Sequence, residues 1–131
     1  MISYEELMRS AEEVRKNAYC PYSGFAVGAA LLCEDGTVYT GCNIENASYS
    51  PTNCAERTAF FKAVSEGHRH FKAIAIVGGK EELEVCYPCG VCRQVMEEFC
   101  SRKQFDVICG VSSDSFQIYK LEELLPKSFQ L

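Results

Sequence analysis

The sequence predicts an α/β fold in which helices pack on both faces of one mixed, five-stranded sheet, giving three layers. Segments of helical and strand character follow one another in the order α-β-β-α-β-α-β-β-α, which is typical of α/β proteins. Two of the strands are nearly continuous apolar runs, as in sheets that are covered on both sides. With 131 residues, 47% of them hydrophobic, the chain is long enough to bury one core, and we expect a single domain over residues 1–131.

The first predicted helix spans residues 4–18. Ser3 and Glu6 have the spacing of a capping box, in which each side chain bonds the backbone N–H of the other residue. The apolar side chains that recur at helical spacing are Leu7, Ala11, Val14 and Ala18. Pro21 and the pair Ser23-Gly24 then end the helical pattern.

A β-hairpin and an irregular loop are predicted next. The apolar run Phe25–Cys33 indicates a strand, Asp35-Gly36 is typical of a tight turn, and Thr37–Cys42 is the expected return strand. Residues 43–53 show no hydrophobic period and are rich in Asn, Ser and Thr. We therefore expect a loop without regular structure there.

The second predicted helix begins at Cys54 and is stopped by Gly67. The residues at helical spacing along it are Ala55, Thr58, Ala59, Lys62 and Ala63. The apolar run Phe71–Val77 then predicts a buried strand. Gly78-Gly79 closes this strand, and a charged loop follows it.

The last third of the chain predicts a helix, two strands and a final helical turn. Pro88 stands before a helix over Cys89–Cys100, a position that favours proline. The side chains expected on one side of that helix are Val91, Val95 and Phe99. Phe105–Gly110 and Phe116–Leu121 are predicted as antiparallel neighbours, because only a short turn joins them. A turn of helix over Leu121–Leu125 ends at Pro126.

The composition excludes several classes of partner. The net charge of −5 argues against nucleic acid, because binding a phosphate backbone needs clustered Lys and Arg. The longest apolar run is too short to span a bilayer, and the N-terminal residues do not resemble a signal peptide. We therefore expect a cytoplasmic protein with no membrane contact. Its 9 cysteines should be reduced, since an odd number cannot pair within one chain.

Two cysteine motifs carry the functional prediction. Cys54-Ala55-Glu56 and Pro88-Cys89-Gly90-Val91-Cys92 both stand where a helix is expected to begin. Free N–H groups at a helix N-terminus lower thiol pKa values and favour thiolates. If both helix starts meet at one edge of the sheet, Cys54, Cys89 and Cys92 can bind one Zn²⁺ per subunit. Three protein ligands leave the fourth tetrahedral position open for water, which is typical of catalytic zinc and lowers the pKa of that water.

Two residues beside Cys54 complete this chemistry. Glu56 is placed to lean over the metal without binding it, take a proton from the water and deliver it to substrate. Three thiolates on a divalent ion leave a net charge of −1, which weakens the acidification of water. The Arg57 guanidinium, hydrogen-bonded to the sulfurs, would offset that excess. The motif pair as a whole is typical of zinc-dependent nucleobase deaminases.

Alternatives remain for some of these residues. Cys86 could complete a structural four-cysteine zinc site or substitute for a ligand, although we interpret it as a bystander in the loop. A zinc-stapled module without catalytic activity would use the same thiols. His68 and His70 could form a metal site, but a solvated turn is the preferred interpretation. The cysteines expected to act as small apolar packing residues are Cys20, Cys33, Cys42, Cys100 and Cys109.

Beyond these motifs, the sequence resembles the small homotetrameric, zinc-dependent cytidine deaminases along nearly its whole length. The matching segments are Ala18–Ser23, Phe25–Leu31, Gly41–Ala47, Cys54–Ala59, Pro88–Gln94 and Leu124–Phe129. The resemblance implies a cytidine deaminase-like fold and a homotetramer whose sites are shared between subunits. It also implies hydrolytic deamination of cytidine and deoxycytidine to uridine and deoxyuridine, a pyrimidine salvage reaction that releases ammonia.

The resemblance further implies which residues bind the substrate. Asn43 and Glu45 match positions that hold the ribose 3′-hydroxyl, and Phe25 matches an aromatic residue on the pyrimidine face. The backbone N–H of Ala55 is implied as a donor to the base carbonyl, and Phe129 as an aromatic residue that reaches a neighbouring subunit's site. Tyr49 resembles a tyrosine at the subunit interface. A cytosine-containing antibiotic nucleoside or a nucleotide is the alternative substrate.

Overall fold

The computed structural model describes residues 1–131 and contains four helices and six strands. These elements are, in chain order, α1 (Tyr4–Arg15), β1 (Ala26–Cys33), β2 (Val38–Cys42), α2 (Ala55–Ser65), β3 (Phe71–Gly79), β4 (Leu83–Glu84), α3 (Gly90–Phe99), β5 (Asp106–Ser112), β6 (Ser115–Lys120) and α4 (Leu121–Leu124). None of the helices is long and apolar enough to cross a membrane.

The strands form one mixed sheet with the order β2-β1-β3-β5-β6, and β4 pairs with β3 beside this path. Only the β3–β5 pair is parallel, with Ile74 opposite Val107. The two predicted hairpin pairings, β1–β2 and β5–β6, are antiparallel as expected. The predicted α/β class and five-stranded mixed sheet are confirmed, and β4 is an addition of two residues.

Helix α1 covers one face of the sheet. Ser3 caps it by accepting a hydrogen bond from the Glu6 N–H at 3.2 Å. Its buried side chains Leu7, Met8 and Ala11 pack on the residues of β1 and β3 that point to this face. The approach is so close that a Cβ on Gly28 would lie 1.9 Å from the carbonyl oxygen of Ala11.

Helix α1 ends at Arg15, three residues before the predicted boundary. The Arg15 guanidinium donates to the carbonyl oxygens of Ala26 at 2.8 Å and Gly79 at 2.7 Å, which ties the helix end to β1 and β3. Beyond a final turn, Tyr19 leaves the helical path because its backbone pairs with the loop residue Ile44. Ala18 is therefore not part of the buried helix face.

Helices α2, α3 and α4 cover the opposite face. Helix α2 lies so close to β2 that a Cβ on Gly41 would be 2.5 Å from the Ala55 carbonyl oxygen. The predicted apolar side of α3 is wrong at Val91, which is 57% exposed. The buried residues of this helix are Cys92, Met96 and Glu97, because the helix is rotated to point Cys92 at the start of α2.

Candidate metal and catalytic site

The starts of α2 and α3 meet at one edge of the sheet and bring three thiols together. Cys54 is the N-cap of α2 and Cys89 is the N-cap of α3, both in extended backbone conformation. Neither thiol makes the usual capping hydrogen bond to its own helix. Cys92 lies in the first turn of α3 and is buried. The predicted zinc site required both helix starts to meet at one edge of the sheet, and the structure meets this condition.

The spacing of the sulfurs fits a tetrahedral metal. The Sγ atom of Cys89 lies 3.8 Å from that of Cys54 and 3.6 Å from that of Cys92, and all three lie within 4.8 Å of one another. Two thiolates on one zinc ion at about 2.3 Å are separated by roughly 3.8 Å in tetrahedral geometry. This donor set could hold zinc with one position left for water.

Arg57 supplies positive charge to the thiols. Its Nη2 donates to the Sγ atom of Cys54 at 3.1 Å. Hydrogen bonds from Cys92 and from Arg57 lower the pKa of the Cys54 thiol to about 5, which favours its thiolate form. The Nε atom of Arg57 is buried and has no hydrogen-bond partner, which places a further donor beside the sulfurs.

Glu56 follows Cys54 and points into a cavity of about 200 Å³ that the thiols also line. Its side chain is only 5% exposed, and this burial raises the pKa of the carboxyl to about 7. Ala55, fully buried, lines the same cavity. Its backbone N–H lies in the first turn of α2, where no helical carbonyl is available to accept it. A carboxyl group and a free N–H thus face one small space beside the metal ligands.

Phe25 and Asn43 form part of the wall of this cavity. The amide of Asn43 is bound to the start of β1, since its Oδ1 accepts from the Val27 N–H at 2.9 Å and its Nδ2 donates to the Phe25 carbonyl at 2.7 Å. One N–H of that amide stays free for another acceptor. Asn43 therefore also fixes the backbone that carries Phe25.

Glu45 lies in an adjoining cavity of about 390 Å³. Thr52 lines both cavities, so they adjoin at this residue, and we refer to the two together as the groove. The Glu45 carboxylate accepts from the backbone N–H groups of Tyr22 and Ser23 and from the Ser23 hydroxyl. These hydrogen bonds, first that of the Ser23 hydroxyl, lower its pKa. Glu45 is thus a fixed anion at the outer end of the groove.

Phe129 is not brought to either cavity within one chain. Its side chain is 66% exposed, and the neighbouring residues Ser128 and Gln130 contact Glu97 on α3. Tyr49 is also exposed, and it lines the outer cavity in a left-handed backbone conformation with φ of 63°. Both aromatic side chains are free to contact another molecule.

Cys86 is not part of the thiol group. Its Sγ donates to the Glu84 carbonyl at 3.4 Å and forms part of the cavity wall, packed against Gly78. The structure does not support the four-cysteine alternative, because Cys86 lies outside the group of three sulfurs. The sequence predicted Cys86 to be a bystander, and it did not predict Thr52 or Tyr87 as cavity residues. The one local signal for Tyr87 is Pro88, because a proline restricts the backbone of the residue before it.

The remaining cysteines and histidines lie elsewhere. Cys33, Cys100 and Cys109 are buried as predicted, whereas Cys20 and Cys42 are only partly buried. His68 lies near Asp35, with 3.7 Å between Nδ1 and Oδ2, and the two form a second group of possible ligands with Cys33. His70 is outside that group, so the two-histidine alternative is not supported.

The chain is similar to known deaminases throughout. Residues 1–108 match the family described as the cytidine and deoxycytidylate deaminase zinc-binding region. The chain is 52% identical to a cytidine deaminase of Sporosarcina psychrophila, over 95% of this chain and 90% of that protein. The crystal structure of cytidine deaminase from Burkholderia pseudomallei superposes with a TM-score of 0.89 at 43% identity, covering 98% of this chain and 100% of the other. The resemblance predicted from the motifs is confirmed, and the chain belongs to the cytidine and deoxycytidylate deaminase family.

Proposed function

We propose that the protein is a cytidine deaminase that converts cytidine and deoxycytidine to uridine and deoxyuridine by hydrolysis, with release of ammonia. The observation that carries this proposal is the cluster of Cys54, Cys89 and Cys92 beside the buried carboxyl of Glu56 in one cavity. Membership of the deaminase family supports it. The net charge of −5 also agrees with a free nucleoside, which has no phosphate to bind.

Cys54, Cys89 and Cys92 would hold the zinc ion. Zinc bound there would acidify a water molecule, and this water is the nucleophile that hydrolysis at C4 of cytosine requires. Arg57 donates to Cys54 and offsets the charge of the three sulfurs. With zinc bound, the three thiolates and the guanidinium would together leave the site close to neutral.

Glu56 would move the protons of the reaction. It would accept one proton from water and give it to N3 of the pyrimidine. It would then take the proton of the hydroxyl group added at C4 and deliver it to the amino group, which leaves as ammonia while the C4 carbonyl forms. Water and cytidine are consumed, and uridine and ammonia are formed, so the protons balance. Burial of the carboxyl at 5% exposure keeps bulk water from competing for these transfers.

The groove would bind the nucleoside from base to sugar. Phe25 would pack on the pyrimidine, and the Ala55 N–H would donate to the base carbonyl. The free N–H of Asn43 and the Glu45 carboxylate would bind the ribose 3′-hydroxyl, in the part of the groove that continues past Thr52. Phe129 would enter the site of a neighbouring subunit in a homotetramer. We also expect the protein to work in the cytoplasm.

The test is an assay of the purified protein on cytidine, deoxycytidine and their monophosphates, with zinc per chain measured alongside. The nucleosides should be deaminated and the monophosphates should not. Glu56→Gln should keep its zinc and fold but lose activity by about 10³-fold, since general acid–base catalysis is removed. Glu81→Gln, on an exposed loop, is the matched control and should be fully active.

Each other result has a distinct meaning. Faster turnover of a monophosphate would make the protein a nucleotide deaminase. A zinc-loaded protein that deaminates none of the four compounds would favour the non-catalytic module or a different cytosine nucleoside. Full activity of Glu56→Gln would overturn the proposed role of the carboxyl.

A further inference from the structure

Glu97 on α3 is a buried acid that the deamination chemistry does not use. Its side chain is 2% exposed and lies on the same helix as Cys92, about one and a half turns further on. A buried carboxylate is costly unless other groups satisfy it. The groups that contact Glu97 therefore indicate its role.

Those partners are one arginine and two residues of the C-terminal tail, by which we mean residues 126–131. The Oε1 atom of Glu97 accepts from the Ser128 hydroxyl at 2.8 Å and from the Gln130 amide at 3.3 Å. The backbone carbonyl of Glu97 accepts from the same amide at 3.3 Å. On the other side, Arg102 Nε lies 3.2 Å from Oε2 and forms an ion pair. Glu97 thus binds the tail directly.

The two tail contacts lie on either side of Phe129. Ser128 and Gln130 are both turned toward Glu97, while Phe129 between them is 66% exposed. Alternation of this kind is what an extended backbone produces when every second side chain contacts one surface. We call these contacts of Glu97 with Ser128 and Gln130 the clamp. The clamp sets the direction in which the Phe129 ring projects.

The tail is also fixed upstream of this clamp. Arg102 donates from Nη2 to the Leu125 carbonyl at 2.7 Å, and Arg93 donates from Nη1 to the Leu124 carbonyl at 2.6 Å. Lys127 then takes a left-handed conformation with φ of 60°, which turns the chain back over α3. Glu97 is the last anchor before the chain ends.

We propose that Glu97 is a positioning residue that holds the tail so that Phe129 is presented in one orientation to the substrate site of an adjacent copy. This inference rests on the proposed function, in which Phe129 reaches a neighbouring site. A free tail would lose conformational entropy each time its ring docked on a bound nucleoside. The clamp removes that cost in advance, so it should act on substrate affinity and leave the chemical step unchanged.

The test compares Glu97→Gln with Glu98→Gln in the full-length, zinc-loaded enzyme. Glu98 is the next residue on α3, is exposed and carries the same charge, so it is a matched control. Glu97→Gln should raise the KM for cytidine by about three- to tenfold with kcat unchanged. Release of the C-terminal residues by a carboxypeptidase should become faster at the same time, because the Ser128 and Gln130 side chains would no longer be held. Glu98→Gln should change neither quantity.

Two further variants keep the test decisive. If Glu97→Gln folds poorly, Ser128→Ala removes one hydrogen bond to the clamp at a partly buried position and should give the same changes to a smaller degree. In a Phe129→Ala background, Glu97→Gln should raise KM no further, since the clamp acts through that ring.

The outcomes separate the clamp from the proposed function. If Phe129→Ala leaves KM unchanged while Glu97→Gln still speeds carboxypeptidase release of the tail residues, the role of Phe129 at the substrate site is wrong. In that case Glu97 only orders the tail, and the positioning proposal fails with it. If Phe129→Ala raises KM but Glu97→Gln changes neither KM nor carboxypeptidase release of the tail residues, the clamp alone is overturned.

Discussion

The face of the sheet covered by α1 and the face covered by α2 and α3 differ in the side chains that they bury. On the α1 side the core is wholly hydrocarbon and thioether; its members are Leu7, Met8, Ala11, Ala30, Leu32, Ala73, Ala75, Val77 and Ile108. The opposite core contains Cys33, Cys92, Cys100 and Cys109, with Cys54 and Cys86 packed against it. Glu56 and Glu97, the two buried acids, also belong to helices of that side.

This difference indicates a division of roles between the faces. Strands β1 and β3 alternate their side chains between the two cores, so one sheet supports both. The α1 face contributes stability through close apolar packing. The other face buries polar groups, which stabilise the fold less than apolar groups do but can take part in a reaction. Substitutions on the α1 face should therefore lower mainly stability, whereas substitutions at the polar groups of the other face should lower mainly activity.

The largest expected effect on activity comes from Cys92→Ala. Loss of the buried sulfur leaves two ligands for zinc, and we expect zinc per chain to fall well below one and kcat/KM to drop by about 10³-fold or more. Metal analysis and a cytidine assay measure this. Cys100→Ala is the control, because Cys100 is buried on the same side without touching the thiol group. Equal zinc loss in both variants would contradict a specific ligand role for Cys92.

Arg57→Gln should have an intermediate effect. It removes the donor 3.1 Å from the Cys54 sulfur, and the loss of such a supporting hydrogen bond typically costs about 10- to 100-fold in activity. Zinc should stay bound and the free energy of unfolding should change little. Lys62→Gln, on the exposed side of the same helix, should be neutral. A fully active Arg57→Gln enzyme would show that the sulfurs need no charge compensation.

Gly28→Ala should have the smallest effect on the reaction and should act on stability alone. Its Cβ would lie 1.9 Å from the Ala11 carbonyl oxygen, so α1 must move away from β1. Overpacking of this kind costs about 3 kcal/mol, measurable by urea unfolding. The KM and kcat of the folded variant should match the unaltered enzyme at a temperature where it stays native. A large change in kcat would show that the α1 face also shapes the active site.

Much of this division could be predicted from local sequence. The helix starts at Cys54 and Cys89 followed from the change of hydrophobic period and from Pro88. By contrast, Val91 and Cys92 both fit a helical stripe, and only the position of α2 decides which of them is buried. Strand β4 is two residues long and exists through its pairing with Gly78 and Gly79. The contact between Glu97 and Ser128 joins residues 31 positions apart, and no local pattern predicts it.

The position of β3 has a consequence for the order in which the protein matures. Cys54 precedes this strand and Cys89 follows it, while β3 itself pairs with β1 on one side and β5 on the other. We therefore expect the three-sulfur site to be complete only once β3 has paired with its neighbours, since those pairings bring the starts of α2 and α3 to one edge of the sheet. Such pairing of distant segments is among the slow steps of folding. We therefore expect full zinc loading late in the folding of this chain, unlike small zinc modules in which the metal organises the chain from the start.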